Sequence, residues 1–437
     1  MDWVGTLALL LGLLFGLLAT GLPVAFAFMA VNLLGVYLFM GGVAGLDALV
    51  RSILASLTVF TLVPIPLFVL MGSLLFHSGL AARSIDAVAK WMGRVPGRLS
   101  MIALSSGVLF AAVSGSTIGN TALLGSMLLP EMRERGYSKE LSMGPIMAAG
   151  GLAMLIPPSA LAVVYGSIAN VSIGQLLIAG IVPGLLLASL YTLYTVGRAY
   201  LRPADAPGYE IEATTLRERL RSALVDVAPL GGLIFLVVGL IFLGVATPTE
   251  AAALGTVGAA FLIVIYRRFN WKLLRAAMED TLSITGMTFL IISGSQAYSQ
   301  LLSFSGASRG LIRTVEGLDV SPLGILLLMQ LIVLVLGCFM DQISIMMLTI
   351  PLYSPIVALL GFDPLWFAVL MLVNLEVALT TPPFGLLLFV MKGAAPADTT
   401  MGDVYRAAAP YILCNLILMA ILIAFPILVT WLPGLMS

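Results

Sequence analysis

The stretch Thr380-Thr381-Pro382-Pro383-Phe384-Gly385 lies in the middle of an apolar run that extends from 364 to 391. A run of this length can cross a bilayer core, which takes about 20 helical residues. Each proline lacks a backbone donor and disfavours helix at the residue before it. Because unpaired backbone groups are costly in hydrocarbon, such a break persists only where protein, water or a ligand satisfies it. The stretch therefore predicts a broken membrane helix with a site at its break.

A second double proline, in Ile156-Pro157-Pro158-Ser159, interrupts the apolar run from 142 to 168 in the same way. The two proline pairs are 225 residues apart. The same spacing recurs elsewhere in the chain, between Pro23 and Pro248 and between Ser116 and Asp341. We therefore predict two copies of one structural repeat, joined by a cytoplasmic linker, with boundaries at 1–201, 202–221 and 222–437.

Composition predicts that most of the chain lies in a membrane. Of its 437 residues, 60% are hydrophobic and only 10% are charged, whereas a soluble domain has roughly 25% charged residues. The predicted fold class is an all-α polytopic membrane protein, and its spans number about ten. They are placed near 3–20, 23–42, 58–78, 142–168, 172–197, 227–244, 247–266, 282–304, 364–391 and 410–431. Two amphipathic arm helices are expected at the inner interface, at 83–96 and 270–281.

Two further apolar blocks, 99–131 and 321–360, carry polar residues at their middle, which leaves each half short for a span. Lys and Arg, which mark cytoplasmic loops, flank the first block on both sides, but none occurs from 314 until Lys392. The blocks are therefore predicted to be re-entrant helical hairpins, the first opening inward and the second outward. The two repeats are then inverted, as in many secondary transporters, with Arg51 as the one clear charge violation.

Broken helices and hairpin tips together suggest two related sites near the membrane midplane. Backbone carbonyls beside hydroxyl groups suit a weakly hydrated cation such as Na⁺, and helix N-termini favour a carboxylate. Each tip is paired with the broken helix of its own repeat. The first cation site would use Ser114, Gly115, Ser116, Thr117, Ile156 and Pro157, and the second Gly337, Asp341, Thr380, Thr381 and Pro382. The substrate candidates are Ser116, Asn120, Ser159, Asp341, Asn374 and Thr381.

Several short motifs, taken in order, resemble the large membrane (M) subunit of the tripartite ATP-independent periplasmic (TRAP) transporters. The resemblance covers nearly the whole chain and rests on 110–117, Leu129-Pro130-Glu131-Met132, 135–137, 156–159, 244–253, 361–364 and 381–385. It implies an ion-transporter-superfamily fold that works as an elevator in the bacterial inner membrane. It also implies Na⁺ as coupling ion, an organic anion such as a C4-dicarboxylate or a sugar acid as substrate, and no other cofactor. The implied partners are a separate small membrane (Q) subunit and a periplasmic substrate-binding protein.

Structural roles compete with functional ones at several of these positions. Asp341 is an ionisable group at membrane depth, which is usually functional, but it could instead cap a hairpin helix. The same alternative applies to the hydroxyls of the first tip, while Thr380 and Thr381 could bond carbonyls of the preceding turn. Glu376 could bind a proton or cation or form a buried structural pair. Glu250 and His77 are expected to be structural, as a capping carboxylate and as an interfacial side chain.

Other functional classes remain open at this stage. A stand-alone Na⁺/dicarboxylate symporter of the same superfamily differs from the leading interpretation in needing no binding protein. A membrane-embedded enzyme is disfavoured because the chain has one His and no nucleophile with an adjacent base. An ion channel is disfavoured because neither a selectivity-filter repeat nor a ring-forming charge pattern is present. Zero net charge gives no reason to expect a nucleic-acid partner.

Overall fold

A computed structural model describes residues 3–209, 214–317 and 319–436, and every regular element in these ranges is helical. The side chains of Ala81, Val113 and Ser114 lie outside the description. The helices of the first half are α1 Trp3–Ala19, α2 Val24–Phe39, α3 Val43–Leu57, α4 Pro64–His77, α5 Leu80–Trp91, α6 Arg98–Ser114, α7 Thr117–Glu134, α8 Lys139–Gly151, α9 Ala160–Ala169, α10 Ile173–Ala179 and α11 Ile181–Leu201.

The helices of the second half are α12 Leu216–Ser222, α13 Ala228–Phe242, α14 Pro248–Ile265, α15 Trp271–Phe304, α16 Ala307–Glu316, α17 Pro322–Gly337, α18 Gln342–Leu359, α19 Pro364–Thr380, α20 Leu386–Ala394, α21 Met401–Ala424 and α22 Ile427–Thr430. A π-helical turn, Ala223–Val227, joins α12 to α13. Four 3₁₀ turns complete the regular structure, at Phe60–Leu62, Leu152–Met154, Pro203–Asp205 and Pro433–Leu435.

Six helical stretches within the described residues are long and apolar enough to cross a membrane. They are Phe60–His77, Ile173–Leu201, Leu216–Phe242, Pro248–Ile265, Gln342–Leu359 and Met401–Ala424. Six further apolar helices are shorter, with 10–17 residues each. The chain is thus an all-helical protein with many apolar helices, and the number of spans stays a prediction.

Several boundaries differ from the predicted ones. Helix α3 was not predicted, because its sequence is amphipathic rather than continuously apolar, and Arg51 lies on it. The expected arm at 270–281 and span at 282–304 form one continuous helix, α15. Helix α21 begins at Met401 rather than 410, because a Thr400–Asp403 capping box starts it and Pro410 is accommodated inside.

The helices pack in two layers. Helices α2, α3 and α4 pack against α15, and α14 packs against α4 and α13, to form what we call the scaffold layer. Helices α6, α7, α8 and α9 together with α17, α18, α19, α20 and α21 form the hairpin layer, which contains both hairpins and both interrupted helices. The layers meet where α4 contacts α6 and α9, and where α15 contacts α18.

Small residues let the hairpins approach the interrupted helices closely. A Cβ added at Gly107 of α6 would lie 2.3 Å from Ala149 Cβ of α8, and one added at Gly337 of α17 would lie 2.0 Å from Ala378 Cβ of α19. Such contacts between small residues are how membrane helices pack without a hydrophobic driving force. They fix each hairpin against the interrupted helix of the same half.

Candidate binding site between the hairpin tips and the scaffold

The first hairpin turns at Gly115 and Ser116. Gly115 has a left-handed φ of +58°, which ends α6. Ser116 then caps α7, its Oγ accepting a hydrogen bond from Gly119 N at 3.2 Å. A Cβ added at Gly115 would lie 3.2 Å from Pro158 O, so this tip rests against the double proline between α8 and α9. The structure therefore brings together the tip and the break that the sequence paired.

The second hairpin turns between Gly337 and Asp341. The Asp341 carboxylate caps α18 by accepting hydrogen bonds from Ile343 N at 3.1 Å, Ser344 N at 3.2 Å and the Ser344 hydroxyl. The Cys338 thiol donates to Pro382 O at 3.3 Å. This tip, too, lies against the double proline of its own half.

Hydroxyl groups at the two breaks bond to the backbone. Ser159 caps α9 by accepting from Ala162 N at 3.3 Å. Thr381 donates to Val377 O at 2.6 Å, and Thr380 donates to Val377 O at 3.1 Å. A hydroxyl that donates its hydrogen keeps its lone pairs, so these bonds leave the oxygens able to accept or to bind a cation.

Three buried oxygen atoms lie unpaired beneath the first tip. Thr117 Oγ1, Thr121 Oγ1 and Asn120 Oδ1 have no hydrogen-bond partner among the described residues. The amide of Asn120 donates to Gly107 O at 3.2 Å and Ala149 O at 3.1 Å, which ties α7 to α6 and α8. Buried oxygens without a donor are costly, so a group that supplies positive charge would be stabilised here.

A cavity of about 320 Å³ lies between the hairpin layer and the scaffold layer. On the hairpin side it is lined by the first turns of α7, α9 and α18, namely Thr117, Ile118, Gly119, Ala160, Leu161, Gln342 and Ile343, and by Gly115, Ser116 and Val164. The first N–H groups of a helix have no partner within the helix and carry a partial positive charge. Because the Asp341 carboxylate already accepts from the first turn of α18, it is the first turns of α7 and α9 that make the hairpin wall suited to an anion.

The predicted residues divide between the cavity and the packing around it. Gly115, Ser116 and Thr117 line the cavity, and Asp341 directly precedes the lining residues of α18. Asn374 lies away from the cavity and donates to Gln330 O at 2.7 Å, which ties α19 to α17. Gly337 and Asn120 lie in helix contacts behind the tips. Six other candidates lie at the breaks rather than on the cavity wall: Ile156, Pro157, Ser159, Thr380, Thr381 and Pro382.

The scaffold wall carries polar residues that sequence reasoning missed. His77 Nε2 lies 2.7 Å from Asp280 Oδ2, and the Ser73 hydroxyl donates to the same oxygen at 2.9 Å. Ser73 and Asp280 line the cavity together with Thr288. The spacings 73/77 and 280/284/288 indicate shared helix faces, but only the structure shows that those faces meet.

Glu376 is buried where the two halves meet. A Cβ added at Gly151 would lie 1.5 Å from Glu376 Oε1, so the carboxyl group fills the space left by that glycine. The Tyr191 hydroxyl is 3.4 Å from Oε1 and accepts from Asn415 Nδ2 at 2.8 Å, while Oε2 has no partner among the described residues. Gly151 and Glu376 are 225 residues apart, the spacing of the double prolines.

Two helical hairpins and two interrupted helices around a shared cavity, in a chain with many apolar helices, are typical of one class of protein, the polytopic membrane transporters. Residues 11–428 match the family model described as the DctM component of the tripartite ATP-independent periplasmic transporters. The chain therefore belongs to this family and is a multi-pass TRAP transporter large membrane subunit. Membership implies two partners, a small membrane subunit and a substrate-binding protein.

The relatives are named for different substrates. The chain is 35% identical to the C4-dicarboxylate TRAP transporter large permease protein DctM of Pseudomonas aeruginosa, over 86% of this chain and 85% of the relative. It is 30% identical to the sialic acid TRAP transporter large permease protein SiaM of Vibrio cholerae, over 96% of each. Among solved structures, the YdaH transporter of Alcanivorax borkumensis is similar in fold, with a TM-score of 0.63, 18% identity and 89% of each chain covered.

Proposed function

We propose that this chain forms the path by which a small organic acid crosses the bacterial inner membrane, driven by Na⁺ and delivered by a periplasmic binding protein. The observation that carries the proposal is the cavity lined by the first turns of α7, α9 and α18. Its hairpin wall offers N–H groups to a carboxylate, and no Lys or Arg side chain is among the described residues that line it. The relatives named for a C4-dicarboxylate and for sialic acid support a carboxylate-bearing substrate.

Na⁺ coupling is supported by the chemistry of the two tips. The unpaired oxygens of Thr117, Asn120 and Thr121 lie under the first tip, and the Asp341 carboxylate lies at the second. Oxygen ligands are those that a hard cation prefers. Bound cations would offset the negative charge of a substrate carboxylate. Transport would then be favourable only when the cations and the substrate are all bound.

The layered packing supports an elevator motion, in which the hairpin layer moves against the scaffold layer as one body. Each tip rests on the break of its own half, so tips and breaks would travel together. The two halves would have opposite orientations in the membrane, with the first hairpin entering from the cytoplasm and the second from the periplasm. Helices α5 and α15 would brace the scaffold at the inner interface.

Opposite hairpin orientation can be measured with cysteines at exposed helix ends. We would introduce Glu134→Cys at the end of α7 and Leu359→Cys at the end of α18, in a chain with Cys338 and Cys414 replaced by serine. In intact cells an impermeant thiol reagent should label only Leu359→Cys, and Glu134→Cys should react only after permeabilisation. Labelling of both in intact cells would show that the hairpins open on the same side.

The proposed function is tested by uptake into liposomes. The chain, the small membrane subunit and the binding protein are reconstituted with a panel of labelled acids under an inward Na⁺ gradient. Uptake should require all three components and should stop when the gradient is collapsed. Na⁺-driven uptake by the chain alone would instead support the stand-alone symporter, and the absence of uptake of any acid by the complete system would contradict the proposal.

One observation could suggest an enzymatic role: Ser73, His77 and Asp280, the residue types of a catalytic triad, are neighbours. Nucleophilic catalysis needs a hydroxyl that bonds to the imidazole, with the carboxylate on the far side of that ring. Here both Ser73 and His77 bond to the same oxygen of Asp280. The order of contacts is therefore wrong for an activated serine, and transport remains the better account of the cavity.

A further inference from the structure

We propose that the transported acid carries a cationic nitrogen as well as its carboxylate, and that Asp280 of the scaffold wall binds this nitrogen. The inference rests on the proposed function and concerns the substrate class of the same cavity. The first observation is the polarity of the cavity. Helix first turns line its hairpin wall, and Asp280, the one charged side chain among the described residues that line the cavity, is on the opposite wall.

The hydrogen bonds of Asp280 leave one of its oxygens available to a ligand. Both His77 and Ser73 contact Oδ2, and no other hydrogen bond or ion pair to this carboxylate occurs within the described residues. The Asp280 side chain is 50% exposed. Oδ1 can therefore accept a charge-assisted hydrogen bond from a group in the cavity.

Charge excludes a second carboxylate at this wall. If His77 is neutral, the pair with Asp280 has a net negative charge, and if His77 is protonated the pair has no net charge. In neither state does the His77–Asp280 pair make this wall positive, and the described residues that line the cavity include no Lys or Arg to compensate. A diacid would place its second carboxylate near a like charge, whereas an ammonium or amidinium group would pair with Asp280. A zwitterionic acid matches both walls.

Matched ligand pairs test this inference without knowledge of the natural substrate. β-Alanine replaces one carboxylate of succinate by an ammonium group, and 4-aminobutyrate does the same for glutarate. Binding of each compound to the purified full chain in nanodiscs, at fixed Na⁺, is measured from its shift of the unfolding temperature. We expect each amino acid to bind at least about tenfold more tightly than its diacid, since hydrogen bonds between charged groups are the strong ones.

Variants of neighbouring acidic residues separate a direct contact from a general charge effect. Asp280→Asn should abolish the preference for the amino acids or reverse it. Glu279→Gln, at an exposed neighbour that pairs with Arg275 instead, should leave the preference unchanged. His77→Gln removes the one ionisable partner that Asp280 has among the described residues, keeps a hydrogen-bond donor, and should preserve or increase the preference.

The possible results distinguish this inference from the proposed function. If the diacids bind as tightly as the amino acids, and Asp280→Asn changes neither, the zwitterion inference is wrong while an acid transporter remains. If neither set binds to the wild-type chain, the inference fails, and the liposome experiment then decides on the proposed function. Should Asp280→Asn fold poorly, His77→Gln and the wild-type ligand ranking still decide the question.

Discussion

Gly337→Ala is expected to destabilise the packing of the second hairpin, and the further change Ala378→Gly is expected to recover part of the lost stability, because it removes the shorter of the two contacts. The new Cβ would lie 2.0 Å from Ala378 Cβ and 2.7 Å from Ala378 Cα, whereas nonbonded carbons require about 3.5–4.0 Å. Helices α17 and α19 would have to separate by roughly 1.5 Å to restore that contact distance. Overpacking of this kind costs about 1–3 kcal/mol, and more where the helices cannot adjust.

The measurements are the yield of monodisperse protein and its unfolding temperature. Gly232→Ala is the matched control, because that helical glycine has no atom within 4 Å of the added Cβ. It should be as stable as the wild type. Two results would contradict this prediction: Gly337→Ala as stable as the control, or a double variant no more stable than Gly337→Ala alone.

Asp341→Asn and Thr381→Val are expected to raise the Na⁺ concentration that gives half-maximal stabilisation, each by about tenfold. Loss of a charged or hydroxyl ligand at a cation site costs roughly 1.5–3 kcal/mol, and 1.4 kcal/mol corresponds to a factor of ten. The helix should survive the first change, because asparagine caps about as well as aspartate. The unfolding temperature is followed against NaCl, with choline chloride holding ionic strength constant.

Each of these variants has a control in which the same type of substitution is made at a residue outside the proposed cation sites. Asp363 caps α19 through Leu365 N at 2.7 Å, so Asp363→Asn tests the effect of changing a capping carboxylate. Thr349 donates to Ile345 O at 2.7 Å within α18, so Thr349→Val tests the loss of a buried hydroxyl. Both controls should keep the wild-type Na⁺ dependence. An unchanged dependence in Asp341→Asn would leave that residue with its capping role alone.

The features that sequence analysis located best were those that break helices. Double prolines and clusters of polar residues are difficult to place in a continuous membrane helix. The helices of the structure are interrupted at these positions. The amphipathic helices α3 and α16 were missed, because a helix that lies against other protein need not be continuously apolar. The arm and span of α15 were separated for a similar reason, since a change in composition at Asp280 does not require a break in the backbone.

The two walls of the cavity differ in how well the sequence identified them. The sequence identified the hairpin wall because Ser116 and Thr117 are polar residues in the middle of an apolar block, and this pattern indicates a turn. The scaffold wall depends on α4 meeting α15, two helices about 200 residues apart in the chain, and periodicity does not identify a helix's partner. Asn120 and Asn374 show that a polar group in an apolar run can hold two helices together, whether or not it also binds a solute.

The contact between Gly151 and Glu376 determines which halves of the chain can pair with each other. If the first half were paired with a second copy of itself, glycine would face glycine and the volume of a glutamate side chain would be empty. If the second half were duplicated, two carboxyl groups would compete for one space. At this point neither half can replace the other. Co-expression of the two halves as separate polypeptides should therefore favour the mixed pair over either homodimer.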